Sequence, residues 1–347
     1  MPETTDSATN SPSAAAIPPL PESMRSVVAR RYGTPEVVSI EDLPVPTPAV
    51  DEVLVQVHAS SLNALDWHFL TGTPYVIRAV NGLRRPKRIV PGADVAGVIV
   101  AVGSDVADRR PGDHVFGETN GGGCASYLVA KASSLVKIPA GVSFEAAGAT
   151  PVAGLTAVQG LRTHGDLQPG EHVLINGAAG GVGTFAVQIA KAMGAEVTAV
   201  CSARNVQMVR ALGADTVVDY TTSDFVEGGA RFDVILDNVG NRTPAECRSM
   251  LLPGARFVAV SGPKENRWLG PIPHIVRTWF GLRRTDASFH QFTAAPDDTD
   301  MTYLGELLAS GAVTPAVDRV IGLDEVADGL TEIGTGHTRA KIVVVPG

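Results

Sequence analysis

From Gly177 to Gly183 the chain reads Gly-Ala-Ala-Gly-Gly-Val-Gly. Glycines this dense let a turn fold tightly and let backbone N–H groups approach a pyrophosphate. A helix beginning directly after them adds unpaired N–H donors and a partial positive charge. Gly180, Gly181, Val182 and Gly183 are therefore candidate dinucleotide-binding residues. Ala178 stands where the strict Gly-x-Gly-x-x-Gly pattern would begin. A second feature selects the dinucleotide. Sites for NAD place an acidic residue about 20 residues past the glycines, on the ribose 2′-hydroxyl. No Asp or Glu lies between Val197 and Arg210; Ser202 and Arg204 lie there instead. A planar guanidinium suits two oxygens of a 2′-phosphate, so the pattern reads as NADP(H). The bland alternative for Arg204 is a solvated residue at a helix start.

The elements that must position these residues follow from hydrophobic period. His172–Asn176 is a short apolar run, the length of a buried strand. Thr184–Met193 turns to a helical period, Gly194 is a natural stop, and Glu196–Val200 is the next strand. Further strands are expected at 216–219, 233–237 and 256–260, with helices at 183–193, 205–212 and 244–251. Such alternation implies a parallel sheet covered on both faces. Asn238 and Ser261 follow two of these strands, at the carboxyl edge where open α/β sheets bind ligands. Upstream, an extended segment begins at Met24. Val37–Ile40, Val53–Val57, Ile89–Val102, Asp113–Phe116 and Ser126–Ile138 read as β structure broken by Gly and Pro. That half reads as an irregular β-barrel. Ser143–Leu161 is helical, 263–300 reads as irregular, and Lys341–Val345 as a terminal strand.

With 347 residues and 44% hydrophobic side chains, the chain has material for two domains and a sizeable core. A formal charge of −8 speaks against bulk nucleic-acid binding. Cys124, Cys201 and Cys247 form no Cys-x-x-Cys pair and no disulfide framework, which suits a reducing, cytoplasmic setting. No apolar run reaches the ~18 residues of a transmembrane helix, so no stable membrane insertion is expected. Residues 1–22, rich in Ser, Thr, Ala and Pro, read as a disordered tail without the features of a signal peptide or presequence.

The order of parts resembles the medium-chain dehydrogenase/reductase superfamily. The likeness rests on the β-barrel half, then AGATPVAGLTAVQGL (147–161), the glycine unit, and VRALGADTVVDYT (209–221). It spans about residues 24–347 and is nearest the zinc-independent quinone oxidoreductase branch, which includes enoyl reductases and mitochondrial reticulon-interacting oxidoreductases. The resemblance implies an α/β chain with a GroES-like catalytic domain (23–150) and a doubly wound Rossmann domain (151–304). A C-terminal segment (305–347) then returns to the first domain. It also implies a homodimer through the edge of the Rossmann sheet.

In the zinc enzymes of that superfamily a Cys and a Gly-His-Glu motif hold the metal. Here Asn63 stands for the cysteine and Ala93 for the histidine, and the structural-zinc cysteines are absent. Zinc needs three or four close N or S ligands, so no metal site is expected. Without that Lewis acid, hydride delivery to a quinone or α,β-unsaturated carbonyl is the expected chemistry. An alcohol or aldehyde dehydrogenase is the alternative enzyme. A crystallin-like or partner-binding NADPH module is the non-enzyme alternative.

The resemblance also assigns residues. The segment matching Asn63–Tyr75 lines the nicotinamide pocket in relatives. Asn63 is the candidate for orienting cofactor or substrate oxygen, or else a turn residue bonding its own backbone. Asp66 reads as structural, a cap on the helix into Trp67–Leu70. His68 falls where relatives often carry a substrate-facing tyrosine; it, Tyr75 or solvent is the candidate proton donor. Thr156 matches a threonine near the nicotinamide, or packs its helix; Tyr220 matches a tyrosine near the adenosine. Lys341 lies where relatives have Gly-Lys, with Ala340 replacing the glycine, and reads as a cofactor contact or, more simply, a solvated lysine. Finally, Arg78–Arg88 is a basic stretch and Trp268–Phe292 mixes aromatic and basic residues. They read as a surface loop and a partly buried insertion, as two borders of the substrate cleft, or as a membrane-surface element.

Overall fold

A computed structural model describes residues 19–263 and 266–347. The tail expected over 1–22 lies outside the described residues up to position 18. The N-terminal half runs β1 (Ser23–Val28), β2 (Ser39–Pro44), β3 (Glu52–Leu62), α1 (Ala64–Thr71), α2 (Arg78–Asn81), β4 (Asp94–Val102), β5 (His114–Glu118), β6 (Tyr127–Lys131) and β7 (Leu135–Lys137). Short helices α3 (Phe144–Gly148) and α4 (Pro151–Val158) lead into a π-helical turn, Gln159–His164. The second half runs β8 (His172–Asn176), α5 (Gly181–Ala192), β9 (Glu196–Cys201), α6 (Val206–Ala211), β10 (Thr216–Asp219), β11 (Phe232–Asp237), α7 (Pro244–Ser249), β12 (Leu251–Ala259), α8 (Ile272–Leu282), β13 (Ser288–Gln291) and α9 (Asp298–Ala309). It closes with β14 (Val317–Ile321), α10 (Val326–Thr335) and β15 (Lys341–Val344).

One sheet has strand order β10-β9-β8-β11-β12-β13, and all its pairings are parallel. Its central strands are buried on both faces because successive side chains enter different cores. On β8, Val173 and Ile175 enter the core shared with α4, α5 and α9. Leu174 between them enters the opposite core, with Cys247 of α7 and Leu282 of α8.

The other large sheet has order β14-β15-β3-β4-β5-β7, with β6 also on β3. Val53, Val55 and Val57 of β3 line its interior with Val95 and Ile99 of β4. Its far end is completed from the C-terminus. β15 lies antiparallel on β3, with Ile342 opposite Leu62 and Val344 opposite Ser60. Leu330 of α10 packs beneath.

Two expectations are corrected. Val37–Ile40 is not one strand: Pro35 starts a 3₁₀ turn over Pro35–Val37, and the strand begins at Ser39. Proline fixes φ near the value a helical first turn needs. The stretch 263–300 is not irregular throughout. It holds α8, β13 and the start of α9, and β13 adds to the parallel sheet beside β12. Its pattern was masked by Pro271 and Pro273 at the start of α8 and by the shortness of β13.

Candidate functional site

The glycine turn joins β8 to α5. Gly177 holds φ at +79°, and Gly180 caps α5 with extended backbone. A Cβ on Gly183 would lie 2.2 Å from the Gly177 carbonyl oxygen and 2.6 Å from Ala178 Cα. That close approach is why the position tolerates only glycine. Ala178, in contrast, is buried and donates its N–H to the Val200 carbonyl at 3.0 Å. A methyl fits there, which accounts for the departure from the strict pattern.

The carboxyl ends of the parallel strands line up the remaining candidates. Along the sheet order, Tyr220 follows β10, Ser202 follows β9, the glycine turn follows β8, Asn238 follows β11 and Ser261 lies beyond β12. Tyr220 is half exposed, and its N–H reaches the Cys201 carbonyl. Ser202 Oγ accepts from Asn205 Nδ2 at 3.2 Å. Arg204 is exposed and donates to the His337 carbonyl at 2.6 Å. Asn238 donates through Nδ2 to the Asn176 carbonyl at 2.9 Å, while its buried Oδ1 has no protein partner. Ser261 is partly buried beside it, its N–H directed at the Asp237 carbonyl. A side-chain-free cradle at a helix start, a row of polar groups along the sheet edge and an unmatched amide oxygen fit a dinucleotide.

The turn is coupled to the barrel through the last strand. Gly180 bridges Ala340, and the Ala340 N–H donates to the Ala179 carbonyl at 2.8 Å. Ala340 takes φ +50°, the left-handed region in which the glycine of the Gly-Lys pair would be at ease. Its neighbour Lys341 is only 2% exposed, so the reading of a solvated lysine is corrected. Its Nζ donates to Asn63 Oδ1 at 2.5 Å and to Asp94 Oδ2 at 3.2 Å, with the Leu62 carbonyl at 3.4 Å. Pairing of β15 with β3 delivers the ammonium there.

Asp94 is the centre of this seam. Its Oδ2 also accepts from Ser61 Oγ and from Asn63 Nδ2, and its Oδ1 accepts from the Val152 N–H in the first turn of α4 at 2.8 Å. Both ends of the Asn63 amide are thus engaged inside the protein. Asp66 sits within the first turn of α1, its carboxylate accepting from the Asn63 and Gly92 N–H groups. Burial nevertheless raises its pKa to about 6. Glu118, opposite Asp94 across β4 and β5, is raised further, to about 7. Burial is the main cause and the Asp94 charge the second; Glu118 Oε2 has no partner.

Thr156 is buried on α4 and returns its hydroxyl to the Val152 carbonyl at 2.7 Å. His68, on α1, has Nδ1 2.6 Å from the Thr73 carbonyl. A carbonyl only accepts, so Nδ1 carries the proton. Tyr75 follows α1, two residues past Thr73: its N–H donates to the Arg267 carbonyl at 2.8 Å and its ring meets Trp268 edge-on at 5.0 Å. The fold thus brings Asn63 and Gly180–Gly181 together through Ala340–Lys341. It joins the two distinctive stretches through Tyr75 and Trp268. Asp94 and Lys341 are the members that the sequence does not point to. They are far apart in the chain, and only the buried apolar run after Lys341 hinted at its burial.

Residues 49–140 match the family described as alcohol dehydrogenase GroES-like domain, and residues 212–344 the family described as zinc-binding dehydrogenase. A chloroplastic quinone oxidoreductase of Triphysaria versicolor is 32% identical over 319 residues, covering 88% of this chain and 93% of that protein. A trans-enoyl reductase of Aspergillus terreus is 33% identical, covering 85% and 86%. The solved quinone oxidoreductase of Coxiella burnetii superposes with a TM-score of 0.82 at 27% identity, covering 94% of this chain and all of that one.

The donor set does not fit the zinc of the second description. Ala93 offers no ligand, the Asn63 amide is engaged at both ends, and Lys341 already sets a cation against Asp94. Among the described residues no three His, Cys, Asp or Glu side chains gather as a metal site. The chain belongs to the medium-chain dehydrogenase/reductase superfamily, as an oxidoreductase of its quinone oxidoreductase branch.

Proposed function

We propose that this chain is an NADPH-dependent reductase of quinones or α,β-unsaturated carbonyls that works without a metal. The observation that carries the reading is the polar row along the carboxyl edge of the parallel sheet, in which β9 is followed by Ser202 and Arg204, with no Asp or Glu between Val197 and Arg210 in the sequence. In this reading the Gly180–Gly183 backbone holds the pyrophosphate. Ser202 and Arg204 hold the 2′-phosphate, and Tyr220 covers the adenine. Asn238, Ser261 and Thr156 border the nicotinamide. The reduced nicotinamide, when bound, supplies a hydride. A conjugated acceptor takes that hydride with both its electrons, and the resulting anion takes a proton.

Asn63 acts as a positioning residue, because Lys341 and Asp94 hold its amide rather than leaving it to turn. His68 delivers a proton from Nε2 only as the imidazolium, since Nδ1–H is committed to Thr73. Tyr75 is the neutral alternative. The names of the quinone and trans-enoyl relatives support both acceptor classes. A cytoplasmic setting accords with three buried, unpaired cysteines. The open edge at β13 supports a homodimer, which light scattering would test.

Initial rates with NADPH and NADH against quinones, enones, aldehydes and alcohols, before and after chelation, test the proposal. NADPH-dependent reduction of quinones or enones, unchanged by chelation, is expected. Preference for alcohols or loss on chelation would install the zinc-type dehydrogenase instead. Tight NADPH binding with no turnover across the panel would make it a binding module.

A further inference from the structure

Helix α8 is docked on one side only. Thr278 and Leu282 are buried, and Gly281 lies so close to Pro244 of α7 that a Cβ there would come within 2.3 Å of the proline. The opposite side carries bulky apolar residues into solvent. Ile272, Val276, Trp279 and Phe280 fall on one face at helical spacing, and Trp268 and Leu269 extend it from the preceding turn. Trp268 is 70% exposed. The patch continues onto the other half of the molecule. The Val76 N–H donates to the Trp268 carbonyl at 3.1 Å, and Val76, Val80 and Leu83 are themselves exposed, Leu83 to 75%.

Charge on the patch is one-sided. Stretches 75–93 and 267–285 hold nine of the chain's 28 Lys and Arg and none of its 36 Asp and Glu. Arg277 and Arg284 lie beside the apolar face of α8, and Arg283 ends that face at the helix C-terminus, its guanidinium 4.9 Å from the centre of the Trp279 ring. In a chain of net charge −8 this is a strong local reversal of sign. Single exposed apolar residues are ordinary, but a contiguous patch rimmed by one sign of charge marks an interaction surface.

We propose that this face docks on an anionic lipid surface, with the Trp268 turn and the outer side of α8 entering the headgroup boundary. A helix with aromatic and aliphatic residues on one face and arginines flanking it, lying in the membrane plane, has this composition. Long cationic side chains reach back to lipid phosphates while their stems stay apolar. A second copy of the chain is a poorer occupant, since a two-fold contact would set the same cations against themselves. Among the described residues no helix is long and apolar enough to cross a membrane, so the association is peripheral. The inference is independent of the reaction proposed above, because binding is read without turnover.

The test is cosedimentation of the full chain with phosphatidylcholine vesicles, with and without about one-third phosphatidylserine. Binding to the anionic vesicles is expected, weakening as salt is raised. It should come with a blue shift in emission, since two of the three tryptophans, Trp268 and Trp279, lie on the patch. Arg277→Glu with Arg284→Glu, and separately Trp268→Ser with Phe280→Ser, should each weaken binding about tenfold or more. These side chains are exposed, and an unchanged melting temperature shows that the fold survives. Equal binding to neutral and anionic vesicles, or none to either, overturns the proposal. So does a dimer in solution that the Trp268→Ser/Phe280→Ser variant dissociates, or capture of an acidic carrier protein in place of vesicles.

Discussion

The glycine turn and the Lys341 seam touch, since Gly180 bridges Ala340, yet they are built by opposite means. The turn is local. Seven consecutive residues supply it, backbone groups line it, and its demands are steric. The seam is assembled from distant segments: Asn63 after β3, Asp94 on β4, Val152 on α4 and Lys341 on β15. Its demands are electrostatic, because a buried charge needs partners. A local site tolerates change outside its few residues. A seam fails when either charged member is removed, because the other remains buried without its counter-charge.

The largest effect should come from breaking the seam. Lys341→Met leaves Asp94 buried without its cation, and removing one partner of such a pair costs about 3–5 kcal/mol. Urea unfolding should show that loss, and Lys341→Met with Asp94→Asn should recover part of it. Equal losses in the single and double variants would mean that the ion pair is not what holds the strands. Next comes the turn. Gly183→Ala forces a Cβ to 2.2 Å from a carbonyl oxygen, and overpacking of this kind costs about 1–3 kcal/mol. Titration with NADPH should show dinucleotide binding weakened more than stability; the reverse would separate the turn from the ligand.

Glu118, opposite Asp94, gives the seam's side of the molecule a pH dependence. Its pKa rises on folding from 4.5 to about 7, so folding favours the protonated form. The stability it contributes is full below about 4.5 and is lost as pH climbs through about 7. Glu118→Gln should therefore stabilise the protein by about 2 kcal/mol at pH 8 and by little at pH 4. Denaturation midpoints at the two pH values check this, and a gain that does not change with pH would refute it. The smallest effect is expected at the turn's outer edge. Arg204→Leu should raise the KM for NADPH about tenfold, the loss of one charge-assisted contact, and leave that for NADH unchanged.

Legibility followed the same divide. The strands at 172–176 and 216–219 were readable to the residue, and those at 196–201 and 232–237 to within one, because buried parallel strands are short apolar runs bounded by turn residues. The glycine cradle was readable because its constraint is written in consecutive positions. The seam was not. Lys341 reads as a surface residue by type, and nothing near Asp94 in the sequence points to Lys341 or Asn63. Helix α8 was hidden by Pro271 and Pro273, which signal a break unless the helix is known to begin there.

By itself the sequence determined the two-part α/β architecture, the position of the nucleotide turn and the lack of an acid between Val197 and Arg210. Each is encoded by near neighbours, in period, glycine spacing and residue type. The tertiary structure alone decided that Lys341 lies against Asn63 and Asp94. It alone joined Tyr75 and Val76 to Arg267 and Trp268, bringing together two basic stretches that both expose apolar side chains. Those contacts depend on which strands pair and in what register, a choice made by the packing of the whole chain.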